Sequence, residues 1–261
     1  MQNNNQQAYD RGITIFSPDG RLYQVEYARE AVKRGAPSVG VRTADGVVLA
    51  AAKRTRSRLM EADSLEKIHK IDDHIGVATA GHVADGRRLV DFARRRAQVE
   101  RLRYGEPIDL ETLTKGITDQ IQEFTQTGGA RPFGVALLVA GVDTEDSDTD
   151  DPSMRRPRLF ETDPSGTPVE WAATAIGSDR DDLQRFLEEE YTEGSDLETG
   201  IDLALRALAD ISDDFDPAEV ALATVDTESA SFEELAPEAV ASRAKELDLG
   251  GDEGDGDGME D

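Results

Sequence analysis

The chain has 261 residues, which is long enough for one large α/β domain with a sizeable core. It carries 55 acidic and 29 basic residues, a formal net charge of −26, which argues against nucleic-acid binding. It has no cysteine, which excludes disulfides and thiol catalysis, and no apolar run of membrane-spanning length. The polar start of the sequence has no secretory signal pattern, so we expect a cytoplasmic protein.

The acidic excess has two readings. It could attract cationic partners, or it could form a solvated surface adapted to concentrated salt, and we favour the second. At molar salt the Debye length falls to about 3 Å, so dense like charge is tolerated there.

The N-terminal region predicts an irregular arm over residues 1–18 and a helix over about 20–33. Asp19, or the turn before it, is placed to cap the helix, and Gly35 is placed to end it. Tyr23 and Tyr27 share one face of this helix. A helix that only covers its own core would not need that aromatic content.

The rest of the chain alternates pairs of strands with pairs of helices. The pattern predicts strands 38–43, 46–52, 66–71 and 75–80, helices 83–103 and 109–125, strands 133–141, 158–162 and 169–175, helices 178–191 and 196–211, strands 219–226 and 231–235, and a last helix 237–247. This order indicates an α+β fold in which two sheets pack face to face with helices outside. We expect one domain over residues 19–247.

Two acidic stretches stand apart from the predicted elements. Residues 143–151 predict a loop insertion (within about 143–157), and residues 248–261 predict a disordered tail. Asp146, Asp148 and Asp150 have the spacing of a calcium loop. Asp151 and Pro157, however, stand where that loop needs a glycine and a glutamate, so we expect no metal site.

Several distinctive motifs follow one another over most of the chain. The main one is residues 21–30, RLYQVEYARE, preceded by YDR at 9–11 and SPDG at 17–20. The others are RSRL at 56–59, EKI at 66–68, LVDFAR at 89–94, GGARPFGV at 128–135 and EEEY at 188–191. In this order they resemble the motifs of proteasome α subunits, particularly the archaeal type. The resemblance implies the four-layer αββα sandwich of the N-terminal-nucleophile hydrolases. The acidic composition, separately, predicts a halophilic archaeal source.

The catalytic pattern of the active β subunits of this family is missing. Aligned on the first strand, the threonine nucleophile falls on Ala36, followed by Pro37, and the supporting acid falls on Ala52. Lys67 occupies the position of the catalytic lysine but has no such partners. No motif around His69, His74 or His82 supports a triad. We therefore expect no catalytic residues and no cofactor.

By resemblance, the chain would be a noncatalytic subunit of the outer heptameric ring of a 20S proteasome core. Its partners would be other α subunits, β subunits, an activating AAA ATPase and unfolded proteins in transit. The degradation would not depend on ubiquitin. The alternatives are a self-standing N-terminal-nucleophile hydrolase, disfavoured by Ala36, and an acidic chaperone-like ring without β subunits. The gate of the ring would involve Tyr9, Asp10, Arg11, Pro18 and Tyr27.

Two further sites follow from the same resemblance. A pocket that receives the C-terminus of the ATPase would contain Glu26, Gly35, Lys67, Gly81 and His82, with Lys67 pairing with the terminal carboxylate. His82 replaces the usual leucine, so this pocket is expected to be more polar and pH-sensitive. The loop that lines the pore would contain Thr127, Gly128, Gly129, Ala130 and Arg131, with Thr127 where an aromatic residue is common.

Overall fold

The computed structural model describes residues 16–18, 20–55, 57, 59–127, 129–144 and 154–250. No helix among these residues combines the length and apolar character needed to cross a bilayer. Several positions singled out above lie outside the described residues: Tyr9, Asp10, Arg11, Asp19, Gly128, Asp146, Asp148, Asp150 and Asp151.

The described residues form six helices of two turns or more and ten strands, most of them within a few residues of the predicted bounds. The helices are α1 (Tyr23–Lys33), α2 (Val83–Tyr104), α3 (Leu110–Gln126), α4 (Arg180–Glu190), α5 (Leu197–Asp210) and α6 (Pro237–Glu246). The strands are β1 (Ser38–Arg42), β2 (Gly46–Ala52), β3 (Ile68–Asp72), β4 (Ile75–Gly81), β5 (Val135–Thr144), β6 (Arg155–Thr162), β7 (Pro168–Glu170), β8 (Ala173–Ile176), β9 (Val220–Asp226) and β10 (Ser231–Glu234).

The strands build two antiparallel five-stranded sheets, in the orders β10-β9-β2-β1-β8 and β3-β4-β5-β6-β7. An apolar layer between the sheets contains Leu49, Leu138 and Leu159. Helices α4, α5 and α6 cover the outer face of the first sheet, and α2 and α3 cover that of the second. The result is helix, sheet, sheet, helix, which confirms the predicted α+β sandwich.

The predicted strand over 169–175 is wrong as a single element. Its first part becomes β7, which pairs with β6 in the second sheet, and its last part becomes β8, which pairs with β1 in the first. The backbone N–H of Trp171 still donates to Leu159 O (2.9 Å), whereas Ala172 O already accepts from the backbone N–H of Arg42 (2.8 Å). The chain therefore changes sheets between two adjacent residues.

Two predicted boundaries also differ. Helix α1 begins at Tyr23 rather than near residue 20, because the preceding residues form a tight turn in which the Gly20 N–H donates to Ser17 O (2.8 Å). Its N-cap residue, Leu22, supplies no side-chain cap. Strand β5 extends through Thr144, so Asp143 does not lie in the predicted loop. It lies in the strand, opposite Arg156 of β6.

Arg158 joins four elements of the second sheet and its helical cover. Its guanidinium donates to both oxygens of Glu170 (3.0 and 2.9 Å) and to Glu111 Oε2 (2.9 Å). It also approaches Asp143 Oδ2 at 3.4 Å and stacks 4.7 Å from the centre of the Phe160 ring. Burial raises the pKa of Asp143 to about 7. The arginine thus holds β5, β6, β7 and the start of α3 together.

We expect Arg158→Ala to lower the free energy of unfolding by about 2–3 kcal/mol, because three carboxylates lose their shared cation. Urea denaturation at one fixed salt concentration measures the change. Arg156→Ala, at an exposed position of the same strand, is the matched control and should change stability by less than about 0.5 kcal/mol. Equal losses in the two variants would contradict the assigned role.

Candidate docking groove and pore loop

Helix α1 is placed by a short apolar stripe. Val25, Ala28 and Val32 recur at helical spacing, are buried, and face the ends of β4 and β5. The helix stops at Arg34, and the N–H of Gly35 donates back to Val32 O (2.8 Å). The opposite side of α1 is left at the surface, including Tyr27, which is 52% exposed.

Just after α1 the chain meets the sheet through close backbone contacts. A Cβ on Gly35 would lie 2.3 Å from Gly81 N, and a Cβ on Gly81 would lie 2.3 Å from Gly134 O. Gly81 also has φ +118°, a conformation that side chains rarely adopt. Any larger residue at these positions would push α1 away from the ends of β4 and β5.

A groove of about 770 Å³ opens beside this contact. Its lining includes four of the five predicted docking residues, Gly35, Lys67, Gly81 and His82, and the predicted gate residue Tyr27. Apolar walls are added by Met60, Leu65 and Val83, and further cationic groups by Arg34 and Arg54. The structure therefore brings together residues that are up to 56 positions apart in the sequence (Tyr27 to Val83).

Lys67 is a shielded cation at the floor of this groove. Its Nζ donates to the carbonyl oxygen of Ala36 (3.2 Å), and it forms no ion pair with any carboxylate that the structure describes. Burial lowers the pKa of Lys67 to about 8, and the nearby Arg54 charge adds to the effect. The acidic residue among the described lining residues, Glu30, is paired with Lys33 (2.8 Å). The charged lysine is thus poorly compensated.

Glu26 lies outside the groove lining. Its carboxylate pairs with Arg29 Nη1 (2.7 Å), and the same guanidinium donates to Asp163 Oδ2 through Nε (3.0 Å) and Nη2 (2.7 Å). This network fixes α1 to the turn between β6 and β7. The predicted gate residue Pro18 lies in the exposed turn before α1.

The position of the family's nucleophile holds no reactive group. Ala36 lies between α1 and β1, and its carbonyl is occupied by Lys67. The nearest downstream hydroxyl, on Ser38, is fully buried and donates to Thr79 O (3.2 Å). His74 is buried as well, with Nε2 2.9 Å from Ile108 O. Among the described residues no cluster of histidine, aspartate and glutamate is arranged to hold a metal ion.

The predicted pore loop is tied at both ends. At its first end the Thr127 hydroxyl donates to Glu123 O of α3 (2.8 Å). At its second end Arg131 donates to both oxygens of Asp85 in the first turn of α2 (2.6 and 2.8 Å). Between them Ala130 N donates to Thr127 O, and Gly129 adopts φ +85°.

Sequence reasoning missed Asp85. Its only local signal was its place three residues after His82, in the first turn of a helix, where an acid is favourable in any protein. Burial raises the pKa of a carboxyl group, but at Asp85 the hydrogen bonds from Arg131 and the Gly134 N–H outweigh burial and lower the pKa. Asp85 is therefore a charged and almost fully satisfied carboxylate.

Comparison with known proteins agrees with this geometry. The sequence profile of the proteasome subunit family matches residues 32–225, and the N-terminal signature of the A-type proteasome subunits matches residues 9–31. The chain is 66% identical to the proteasome alpha 2 subunit of Haloarcula marismortui over 97% of this chain and 100% of that protein. It is 62% identical to the proteasome alpha subunit of Haloquadratum walsbyi over 94% of both chains.

The chain therefore belongs to the proteasome subunit family and is of the α type, which is the noncatalytic type. Both relatives come from halophilic archaea, in agreement with the reading of the acidic surface as an adaptation to salt.

We expect the Lys67 ammonium to titrate with a midpoint near pH 8 when followed by NMR of its side chain. Lys33, whose hydrogen bond to Glu30 raises its pKa, is the internal reference and should titrate above the ordinary value for lysine. Because the folded-state pKa of Lys67 lies below the unfolded one, its charge costs stability below pH 8, and this cost disappears as pH rises toward the unfolded pKa. A Lys67 midpoint at or above that of Lys33 would contradict the described burial.

Proposed function

We propose that this chain forms the outer heptameric ring of a 20S proteasome core in the cytoplasm. In that role it admits unfolded proteins to a proteolytic chamber formed by β subunits and receives the C-termini of an activating AAA ATPase. The observation that carries the proposal is the uncompensated Lys67 at the floor of an open groove. A chain with 55 acidic residues leaves this cation without a carboxylate among the residues described.

The groove has the chemistry to bind a peptide C-terminus. Burial removes water from the Lys67 ammonium and so lowers its pKa. A terminal carboxylate beside the ammonium would replace the lost stabilisation of its charge, so the site favours such a ligand. Arg34 and Arg54 add positive charge along the lining, and Met60, Leu65 and Val83 provide apolar surface for the preceding side chains. The compact charge of a lysine on a flexible stem suits a ligand that enters and leaves.

We expect Lys67→Ala to abolish stimulation of the assembled core by a synthetic peptide that carries the C-terminus of the ATPase. Loss of one partner of a shielded charge pair costs about 2–5 kcal/mol, so the affinity of the peptide should fall by at least about 30-fold. The measurement is peptide-stimulated hydrolysis of a fluorogenic substrate, with ring assembly checked by electron microscopy. In the unaltered core, stimulation should decline as pH rises through 8, the pKa of Lys67.

Two controls make the result specific. Lys70→Ala removes a lysine of strand β3 that is exposed and paired with Asp73 (2.8 Å), and it should leave stimulation unchanged. A peptide with an amidated C-terminus should fail to stimulate either core. If the amidated peptide stimulates as well as the free acid, Lys67 does not bind a carboxylate. His82→Leu tests whether the histidine contributes to the pH profile.

The gate is proposed to consist of the arm before α1, with Tyr9, Asp10 and Arg11 acting together with Pro18 and Tyr27. Its support is the match of residues 9–31 to the α-type signature and the exposed position of Pro18 and Tyr27. A proline fixes the backbone bend on which an aromatic ring can pack, and a tyrosine hydroxyl can donate to the Asp10 carboxylate.

We expect deletion of residues 1–12 to leave the rings intact and to raise peptide hydrolysis by the core without any activator, because the obstruction is removed. Hydrolysis of a short fluorogenic peptide by cores of equal concentration measures the effect. The chain purified without β subunits is the control, and it should hydrolyse nothing. Unchanged hydrolysis by the shortened core would count against the gate, and hydrolysis by the isolated chain would favour a self-standing hydrolase.

A further inference from the structure

Asp85 is a carboxylate next to the docking groove with several hydrogen-bond donors around it. Its side chain is 11% exposed and accepts three hydrogen bonds: from Arg131 Nη1 (2.6 Å), Arg131 Nη2 (2.8 Å) and the backbone N–H of Gly134 (2.9 Å). A bidentate arginine pair fixes direction as well as distance, because the two parallel hydrogen bonds define the plane of the guanidinium. Asp85 therefore sets the orientation of Arg131.

Arg131 supplies a side-chain tie at the second end of the pore loop. Of the described residues before it, Thr127 and Gly129 are exposed, and Ala130 N bonds only within the loop. The other donor bond of Arg131 goes to Pro132 O, its own neighbour (3.0 Å). Pro132 and Phe133, which follow Arg131, are buried and anchor the chain, while the direction in which Arg131 leaves this anchor depends on a carboxylate 46 residues away in the sequence.

The same carboxylate lies next to two lining residues of the docking groove, Gly81 and His82. Gly134 donates its backbone N–H to Asp85, and its carbonyl oxygen accepts from the backbone N–H of His82 (2.8 Å). The same carbonyl oxygen would lie 2.3 Å from a Cβ on Gly81. His82 Nδ1 is 3.7 Å from Asp85 Oδ1. Asp85 is therefore linked to Gly81 and His82 through Gly134, it approaches His82 at 3.7 Å, and it binds Arg131 directly.

We propose that Asp85 is a positioning residue which, through Arg131, holds the pore loop in a fixed relation to the floor of the docking groove and so controls how easily an unfolded chain passes. This proposal rests on the proposed function, since it takes residues 127–131 as lining the opening. When the pair is intact, the loop moves only with the groove floor. When it is broken, Arg131 and the loop are free to move outward, and the opening becomes less selective.

The test uses cores assembled from the full chain and its β partner, with Asp85→Asn or Arg131→Gln. The readout is the rate of hydrolysis of a chemically unfolded protein divided by that of a tetrapeptide. The tetrapeptide is the reference because it is small enough to pass without hindrance from the loop. We expect this ratio to rise about three-fold or more in both variants. Arg131→Lys, which keeps the charge but loses the paired hydrogen bonds, should give an intermediate ratio.

Three comparisons separate positioning from a merely structural role. The double variant should change the ratio no more than either single variant, because both act through one contact. The affinity of the docking peptide should remain within about two-fold, since Lys67 is untouched. Arg185→Gln breaks an exposed ion pair of α4 with Asp182 (3.0 Å) and is the control, with an unchanged ratio.

An unchanged or lower ratio in both single variants overturns the proposal, as does an additive effect in the double variant. Failure of the mild Arg131→Lys variant to form rings also overturns it, because the pair would then serve folding alone. The core that lacks residues 1–12 separates a failure of the Asp85 proposal from a failure of the proposed gate. If that deletion raises hydrolysis and the Asp85 variants do not change the ratio, the positioning role fails while the gate stands.

Discussion

The close backbone contact of Gly35, Gly81 and Gly134 is the constraint on which the rest of the site depends. A Cβ at Gly35 or Gly81 would lie 2.3 Å from a neighbouring backbone atom, so only glycine lets the end of α1 meet β4 and the start of β5. That meeting forms one wall of the groove and brings the Ala36 carbonyl to Lys67. It also brings Gly134 between His82 and Asp85.

Charge is distributed unevenly around this contact. Several described cations are paired with carboxylates, among them Arg158, Arg131 and Arg29. Lys67 differs because its shielded ammonium meets a carbonyl oxygen and a neighbouring arginine instead of a carboxylate. In a protein with a net charge of −26, a shielded cation without a described carboxylate partner supports the proposal that Lys67 binds an external carboxylate.

Sequence patterns anticipated most elements because hydrophobic periodicity reports which face of a helix or strand is buried. They failed at 169–175, where one strand-like run is divided between two sheets by hydrogen bonds to Leu159 and Arg42, far away in the chain. They also grouped Glu26 with the docking residues, whereas the structure pairs it with Arg29 beside Asp163. The division at 169–175 cannot be read from local spacing, because Arg42 lies far away in the chain. The Glu26–Arg29 pair is an i, i+3 contact along α1, and only its continuation to Asp163 depends on a distant segment.

The sequence by itself determined that Ala36 offers no hydroxyl nucleophile, that Lys67 is one of six lysines in an acidic chain, and that the motifs are those of an α-type proteasome subunit. Only the tertiary structure decided that Lys67 lies shielded in a groove and that Asp85 holds Arg131. The physical reason is that residue type fixes which chemistry is possible, whereas burial and hydrogen-bond partners depend on which distant segments the fold brings together.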